Sequence, residues 1–383
     1  MKIAYDSQIF AAQKYGGVSR YYCEIAARIA REPDVNVRIV APMYVNAYIE
    51  HAPKALISGF RSPFPDHFPK IYGARYFNLI MRGLGLFLGD IMLRSSRPDI
   101  IHETYFFPYR LGGRRARRVL TIYDMIHEKF ASEFKLSEKT SEYKSLAAKR
   151  ADHVICISEA TRKDAIEILG LNPDKTSVIY LGYDLMKADN TPCEQLVLPT
   201  GGPYLLYVGN RGGYKNFLGL LEAYGTSPQL KDSYRLVCFG GGDFNQPELT
   251  MMQDLKLDAE QVIQCAGSDQ LLAQLYRNAS AFVYPSLYEG FGIPPLEAMA
   301  HDCVVVCSNT SSIPEVVGDA GEYFNPGAVD SMRAAIEQVV SSQPHRDSLI
   351  SKGRERLKLF SWDRCATETL DVYRNLPWES ESL

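Results

Sequence analysis

The stretch Ser280-Ala-Phe-Val-Tyr-Pro-Ser-Leu-Tyr-Glu-Gly-Phe-Gly-Ile-Pro-Pro-Leu-Glu-Ala-Met-Ala300 reads as a strand, a loop and a helix in succession. An apolar run ends near Tyr284, Gly290 and Gly292 free the loop, and Pro294 and Pro295 preset the first turn of a helix. Glu297 is therefore expected within that first turn. The same alternation recurs along the chain, with apolar runs at 35–40, 99–102, 119–123, 153–157, 204–208, 234–239, 281–284 and 304–306 lying between longer helical patterns. Runs of this kind belong to parallel strands covered by helices on both faces. The fold class is α/β.

A chain of 383 residues exceeds one ordinary hydrophobic core and suits two domains. The segment 187–203 (KADNTPCEQLVLPTGGP) has no helical period and carries three prolines and two glycines, after which the strand pattern restarts. The expected division is an N-terminal domain over 1–190, a C-terminal domain over 200–360, and a terminal segment 361–383 whose helix (WDRCATETLDVYRNL) returns to pack on the first domain.

Hydrophobic residues at 46% and charged residues at 23% describe a globular chain. A formal net charge of −3 and a pI near 6.2 give no field that would recruit nucleic acid. The Met1 end reads as a strand, without a basic region followed by an apolar one and a cleavage site, so residence in the cytoplasm is expected. The eight cysteines are scattered through apolar segments with no paired metal-ligand spacing, which fits buried thiols and no metal site. The stretch 77–93 (FNLIMRGLGLFLGDIML) is too short and too polar to span a bilayer. It fits either a buried helix or an interfacial one, and the cluster Arg110, Arg114, Arg115, Arg117 and Arg118 would serve the second by attracting anionic lipid at the inner membrane face.

Three segments carry chemistry. Gly16 and Gly17 stand between the first strand and a helix, where close backbone approach and unpaired helix N–H groups favour an anion; a tight structural turn explains them equally well. In YLLYVGNRGGYKNFLGLLEAY, over 204–224, Arg211 and Lys215 follow the carboxyl end of a strand, where open α/β sheets receive ligands, and two cations there suit a departing diphosphate. In the third segment the amides from Phe291 to Ile293, with Gly290 and Gly292 leaving room, form a phosphate cradle. Glu289 is placed for sugar hydroxyls and Glu297 for a ribose diol.

With Glu289 and Glu297 spaced in this way, and with KYGGVSRY, YVGNRGGYKN, EGFGIPPLEAMA and SSIPEVVGDAG in that order from about residue 15 to 325, the chain resembles the retaining GT-B glycosyltransferases of family 4. The resemblance implies two Rossmann-like domains facing each other across a cleft and transfer of a sugar from a nucleotide-sugar donor. It assigns Gly17 to the donor phosphates, Arg211 and Lys215 to the diphosphate, Glu289 to the sugar and Glu297 to the ribose, with no divalent metal and no cofactor. Retention implies that the acceptor hydroxyl enters on the face the diphosphate leaves, so that a phosphate oxygen takes its proton. One departure concerns the end of the strand at 119–123. Where many members carry His-Asp, this chain has Tyr123-Asp124 with His127 three residues on, so either Asp124 or His127 supplies the polar group near the reacting sugar.

The opening segments resemble those of bacterial enzymes that build O-antigen and other surface polysaccharides. This resemblance points to mannose from GDP-mannose and a saccharide acceptor that is lipid-linked. A UDP- or dTDP-sugar donor, a nucleotide-sugar epimerase, a sugar phosphorylase, and an inactive nucleotide-sugar-binding partner are the alternatives the motifs leave open.

Overall fold

The computed structural model describes residues 1–62, 74–133, 137–183 and 201–377. The expected boundary at 187–203 falls almost wholly outside these residues, as does Cys193. Contacts divide the chain into two compact units, Met1–Gly182 with Trp362–Leu383, and Tyr183–Ser361.

The first unit is built on strands β1 (Lys2–Tyr5), β2 (Asn36–Tyr44), β3 (Ile57–Arg61), β4 (Ile100–Glu103), β5 (Arg117–Ile122), β6 (His153–Cys156) and β7 (Thr176–Val178), all parallel in the order β3-β2-β1-β4-β5-β6-β7. The second has β8 (Tyr204–Val208), β9 (Arg235–Phe239), β10 (Val262–Cys265), β11 (Ala281–Tyr284), β12 (Val305–Ser308) and β13 (Gly321–Phe324) in the parallel order β10-β9-β8-β11-β12-β13. Both are doubly wound sheets. The apolar runs of the sequence find their inner strands, whereas β3, β7, β10 and β13 are the sheet edges. An edge strand is covered on fewer sides, so it carries no continuous apolar run.

The second sheet shows why unbroken apolar runs are needed. Successive side chains of a strand point to opposite faces. Leu205 and Tyr207 enter one core with Cys238, Val283 and Val306, while Tyr204 and Leu206 enter the other with Val237, Phe282 and Val305. Each face is then closed by helices.

In the first unit, the Trp362–Asn375 helix buries Trp362, Cys365, Ala366, Thr369, Leu370 and Tyr373, a stripe at helical spacing. Its Tyr373 hydroxyl lies 2.5 Å from His102 Nδ1 and 3.2 Å from the Tyr5 hydroxyl, and Asp363 accepts from Arg28 Nε at 2.8 Å. Burial holds His102 down to about 3, so the ring is neutral and shares hydrogen bonds with Tyr373 on one side and Thr121 Oγ1, at 2.8 Å, on the other.

Candidate functional site

In the second sheet the chain winds from β8 outward to β9 and β10, then returns to the other side of β8 as β11. Ligands of open α/β sheets bind outside the carboxyl ends of the strands at such a switch point. The loops that leave β8 and β11 here carry Lys215 and Glu289. Lys215 closes a short 3-10 turn, Gly213–Lys215, by donating its amide to Gly212 O at 2.8 Å. Asn216 then adopts a left-handed conformation, φ 53°, and starts the helix Phe217–Gly225. This turn aims the Lys215 ammonium at Glu289, with Nζ to Oε1 at 2.6 Å. Its side chain keeps 20% exposure against 10% for Glu289, so a charged ligand can reach the cation. Burial first, then the Glu289 charge, push the neighbouring Tyr284 hydroxyl well above its usual range, leaving it neutral.

The loop that carries Glu289 is held by the loop that follows a third strand, β12. Ser311 Oγ accepts from the Glu289 amide at 2.9 Å, and the buried Ser312 hydroxyl reaches Glu289 O at 2.9 Å and Phe291 O at 2.7 Å. These serines stand in SSIPEVVGDAG, whose Ser-Ser before Ile-Pro is a helix-start signal, but their partner 22 residues earlier is invisible in sequence. Gly292, at φ 127°, is the N-cap of the helix Ile293–Ala300. No β-carbon is easily accommodated at that torsion. The Phe291 ring is buried against Phe360, with centroids 5.8 Å apart, so this residue offers a ligand its backbone rather than its side chain.

One expectation for this helix is corrected. Glu297 lies in its second turn, because the helix begins at Ile293 and its first turn holds no acidic residue. There it accepts from the Tyr276 hydroxyl at 3.5 Å, while His301 Nδ1 lies 2.8 Å from its carbonyl. Pro294 and Pro295 preset the helix but have no N–H, so its first three positions hold one N–H, that of Ile293, which ends the run of amides that begins at Phe291.

Arg211 departs furthest from its expected place. Its guanidinium is turned into the unit, with Nε to Glu248 Oε1 at 3.1 Å, Nη1 to Gly240 O at 2.9 Å, and Nη2 to Gly242 O at 2.8 Å and Asp243 O at 2.9 Å. The Phe244 ring lies 4.7 Å from its carbon centre. Both members of the ion pair are buried, at 3% and 2% side-chain exposure. Withdrawing one partner from a buried pair of this kind costs about 3–5 kcal/mol. The structure therefore brings Lys215 to Glu289 and sets Arg211 apart from them.

In the first unit the equivalent switch point lies between β1 and β4. Asp6, just past β1, is fully buried and bonded to Thr104 Oγ1 at 2.5 Å and to Gln8 Nε2 at 2.7 Å. Burial raises its carboxyl to about 6. The sequence reading missed Asp6, although YDSQ at a strand end was the available signal. Gly16 caps the helix Gly17–Ile29 in an extended conformation, and a β-carbon there would collide with the Gln13 side-chain carbonyl; Gly17 faces open space. Asp124 accepts from the Ile126 amide at 3.1 Å and so shapes the turn into the helix Ile126–Lys129, which carries half-buried His127. Burial, then the Lys144 charge, lower the His127 pKa. Lys144, also missed, is buried and ties this turn together through Asp124 O at 2.9 Å and Glu128 Oε2 at 2.8 Å.

Two doubly wound units, one of them presenting a cation and a carboxylate at its switch point, are the parts of a glycosyltransferase of the GT-B fold. Residues 15–187 match the model "Glycosyltransferase Family 4" and residues 192–356 match "Glycosyl transferases group 1". The chain belongs to glycosyltransferase family 4. It is 33% identical over 301 residues to the O-antigen chain mannosyltransferase B of Escherichia coli, covering 74% of this chain and 76% of that protein. To the serotype-specific mannosyltransferase WbdA of Escherichia coli it is 25% identical over 322 residues, which is 76% of this chain and 38% of that one. The fold matches that of sucrose-phosphate synthase from Thermosynechococcus elongatus, with a TM-score of 0.73 at 20% identity over 98% of both chains.

Proposed function

We propose that this glycosyltransferase moves mannose from GDP-mannose, with retention of configuration, to a lipid-linked oligosaccharide in the synthesis of O-antigen or a related surface polysaccharide. The observation that carries the reading is the Lys215–Glu289 pair at the switch point of the second sheet. A nucleotide-sugar diphosphate docked there meets a cation whose charge opposes the one that grows as the sugar departs. Glu289, its loop held by Ser311 and Ser312, orients sugar hydroxyls. The bond from the anomeric carbon to the phosphate oxygen breaks, the bond to the acceptor oxygen forms on the same face, and the acceptor proton passes to the departing phosphate. This scheme calls on no metal or cofactor. The choice of mannose rests on the relatives named above.

An inner-membrane acceptor draws support from the helix Ala74–Ser96, whose Leu84, Phe87, Leu88 and Ile91 share one exposed face. Residues 104–118 contain no acid, and their Gly112 amide is tied to Asp90 on that helix at 2.6 Å, which sets the exposed Arg110, Arg114 and Arg115 on the loop beside it. No helix among the described residues is long and apolar enough to cross a membrane. The reading is therefore of a cytoplasmic enzyme held at the surface.

A thermal-shift screen against GDP-, UDP- and dTDP-sugars tests the donor, since a ligand of the native state raises its melting temperature. Stabilisation by GDP-mannose is expected, and no shift with any donor would overturn the reading. Product analysis then separates the rivals. An epimerase releases nucleotide without an acceptor, a phosphorylase needs inorganic phosphate, an inactive partner forms no product, and a retaining transferase gives an α-linked mannoside.

A further inference from the structure

We infer that Arg211 is a positioning residue that braces the glycine loop after β9, and that it makes no contact with the donor diphosphate. The inference rests on the donor reading above and refines its phosphate site.

Four of the five guanidinium N–H groups are already taken, by Glu248 Oε1 and by the carbonyls of Gly240, Gly242 and Asp243. Glu248 is committed as well. Its Oε2 accepts from the Asn245 amide at 2.8 Å in a capping box that starts the helix Gln246–Asp254. Arg211 thus joins the loop after β8 to the start of that helix.

What it braces needs bracing. Gly240, Gly241 and Gly242 run at φ 87°, 74° and 71°, three consecutive left-handed residues that lose much freedom on folding. The carbonyls of Gly240 and Gly242, with that of Asp243 after them, converge on one buried cation, which fixes that sequence of torsions. The loop follows β9, the neighbour of β8, and the amide of Gly209, at the start of the Lys215 loop, donates at 2.9 Å to the carbonyl of Phe239, the residue just before Gly240. Arg211 can therefore act on the donor by holding this carboxyl-end surface in place. Lys215 carries the phosphate charge.

The test compares Arg211→Met, which keeps length and loses every donor, with Arg211→Lys and Lys215→Met, each in the full chain. Affinities for GDP and GMP are measured, or for the UDP and UMP or dTDP and dTMP pairs if the screen selects those donors. A diphosphate ligand contributes to the ratio between the two nucleotides; a brace does not. Lys215→Met is expected to cut the diphosphate preference tenfold or more. Arg211→Met should weaken both nucleotides in parallel, with the ratio held within twofold, and should speed hydrogen exchange across 240–244 in the nucleotide-free chain. Arg211→Lys, which keeps the charge but not the fork, should speed the same exchange and serves if the Met variant fails to fold. Loss of the diphosphate preference in Arg211→Met, or unchanged exchange at 240–244 in both Arg211 variants, would overturn the brace. Should the parent chain bind neither nucleotide, the donor reading fails while the exchange data still decide the role of Arg211.

Discussion

Lys215 and Glu289 form an ion pair whose two members are unequally exposed, and that inequality sets what each can do. The carboxylate is the more buried and stays beside its cation, whereas the ammonium keeps an open side from which a diphosphate can share it. On the proposed reading, removing the cation takes away stabilisation that matters most as the leaving group gains charge. Lys215→Ala is therefore expected to lower kcat by about 10²–10³-fold with a much smaller change in donor KM, the size typical of one lost oxyanion donor. Steady-state kinetics with the donor chosen by the screen checks this, and a change confined to KM would reassign Lys215 to ground-state binding.

Two elements outside the donor pair give separate predictions. The glycine loop after β9 tolerates no side chain at its centre, since a β-carbon on Gly241 would lie 2.6 Å from Arg211 Nη1 and 3.0 Å from Gly209 O at a left-handed φ. Gly241→Ala should cost roughly 1–3 kcal/mol of stability, read by urea unfolding of the variant. The Trp362–Asn375 helix is fastened through His102, whose folded pKa of about 3 lies below the ordinary value of 6.5. The unfolded chain takes up a proton near 6.5 and the folded chain does not, so acid favours unfolding. The contribution of His102 is complete above about pH 6.5 and is lost as the pH falls toward 3, at up to roughly 1.4 kcal/mol per pH unit. His102→Gln should flatten that acid limb in a plot of Tm against pH, and an unchanged slope would place the titrating group elsewhere.

For the molecule as a whole, a net charge of −3 conceals a local excess of arginine around an exposed apolar face. Vesicles rich in phosphatidylglycerol should sediment the chain and phosphatidylcholine vesicles should not, with the difference shrinking as salt is raised. Phe87→Ser with Ile91→Ser should weaken binding to the anionic vesicles several-fold, because both side chains would enter the acyl boundary. Equal sedimentation with both lipids, or none with either, would remove the membrane from the proposal.

The α/β class, the inner strands and the loop after β11 were legible in the sequence, as was the arrival of Lys215 and Glu289 just past strand ends of the second sheet. Local chemistry sets each of them: apolar runs demand burial, glycines and prolines fix turns, and a strand end in a parallel sheet faces ligand. Edge strands were not legible, because a half-covered strand need not be continuously apolar. Nor was the direction of Arg211. Its position after β8 says that it leaves a strand end, but its destination depends on Glu248, 37 residues later, and on three carbonyls that exist as acceptors only once Gly240 to Gly242 have taken left-handed torsions. The positions of Asp6, Lys144, Ser311 and Ser312 were likewise decided by partners distant in the chain. The sequence by itself determined which side chains reach the carboxyl ends of the sheets. The tertiary structure alone decided which of them stay partly exposed and which spend their charge inside the fold, because a buried charge must be matched by groups that only folding assembles.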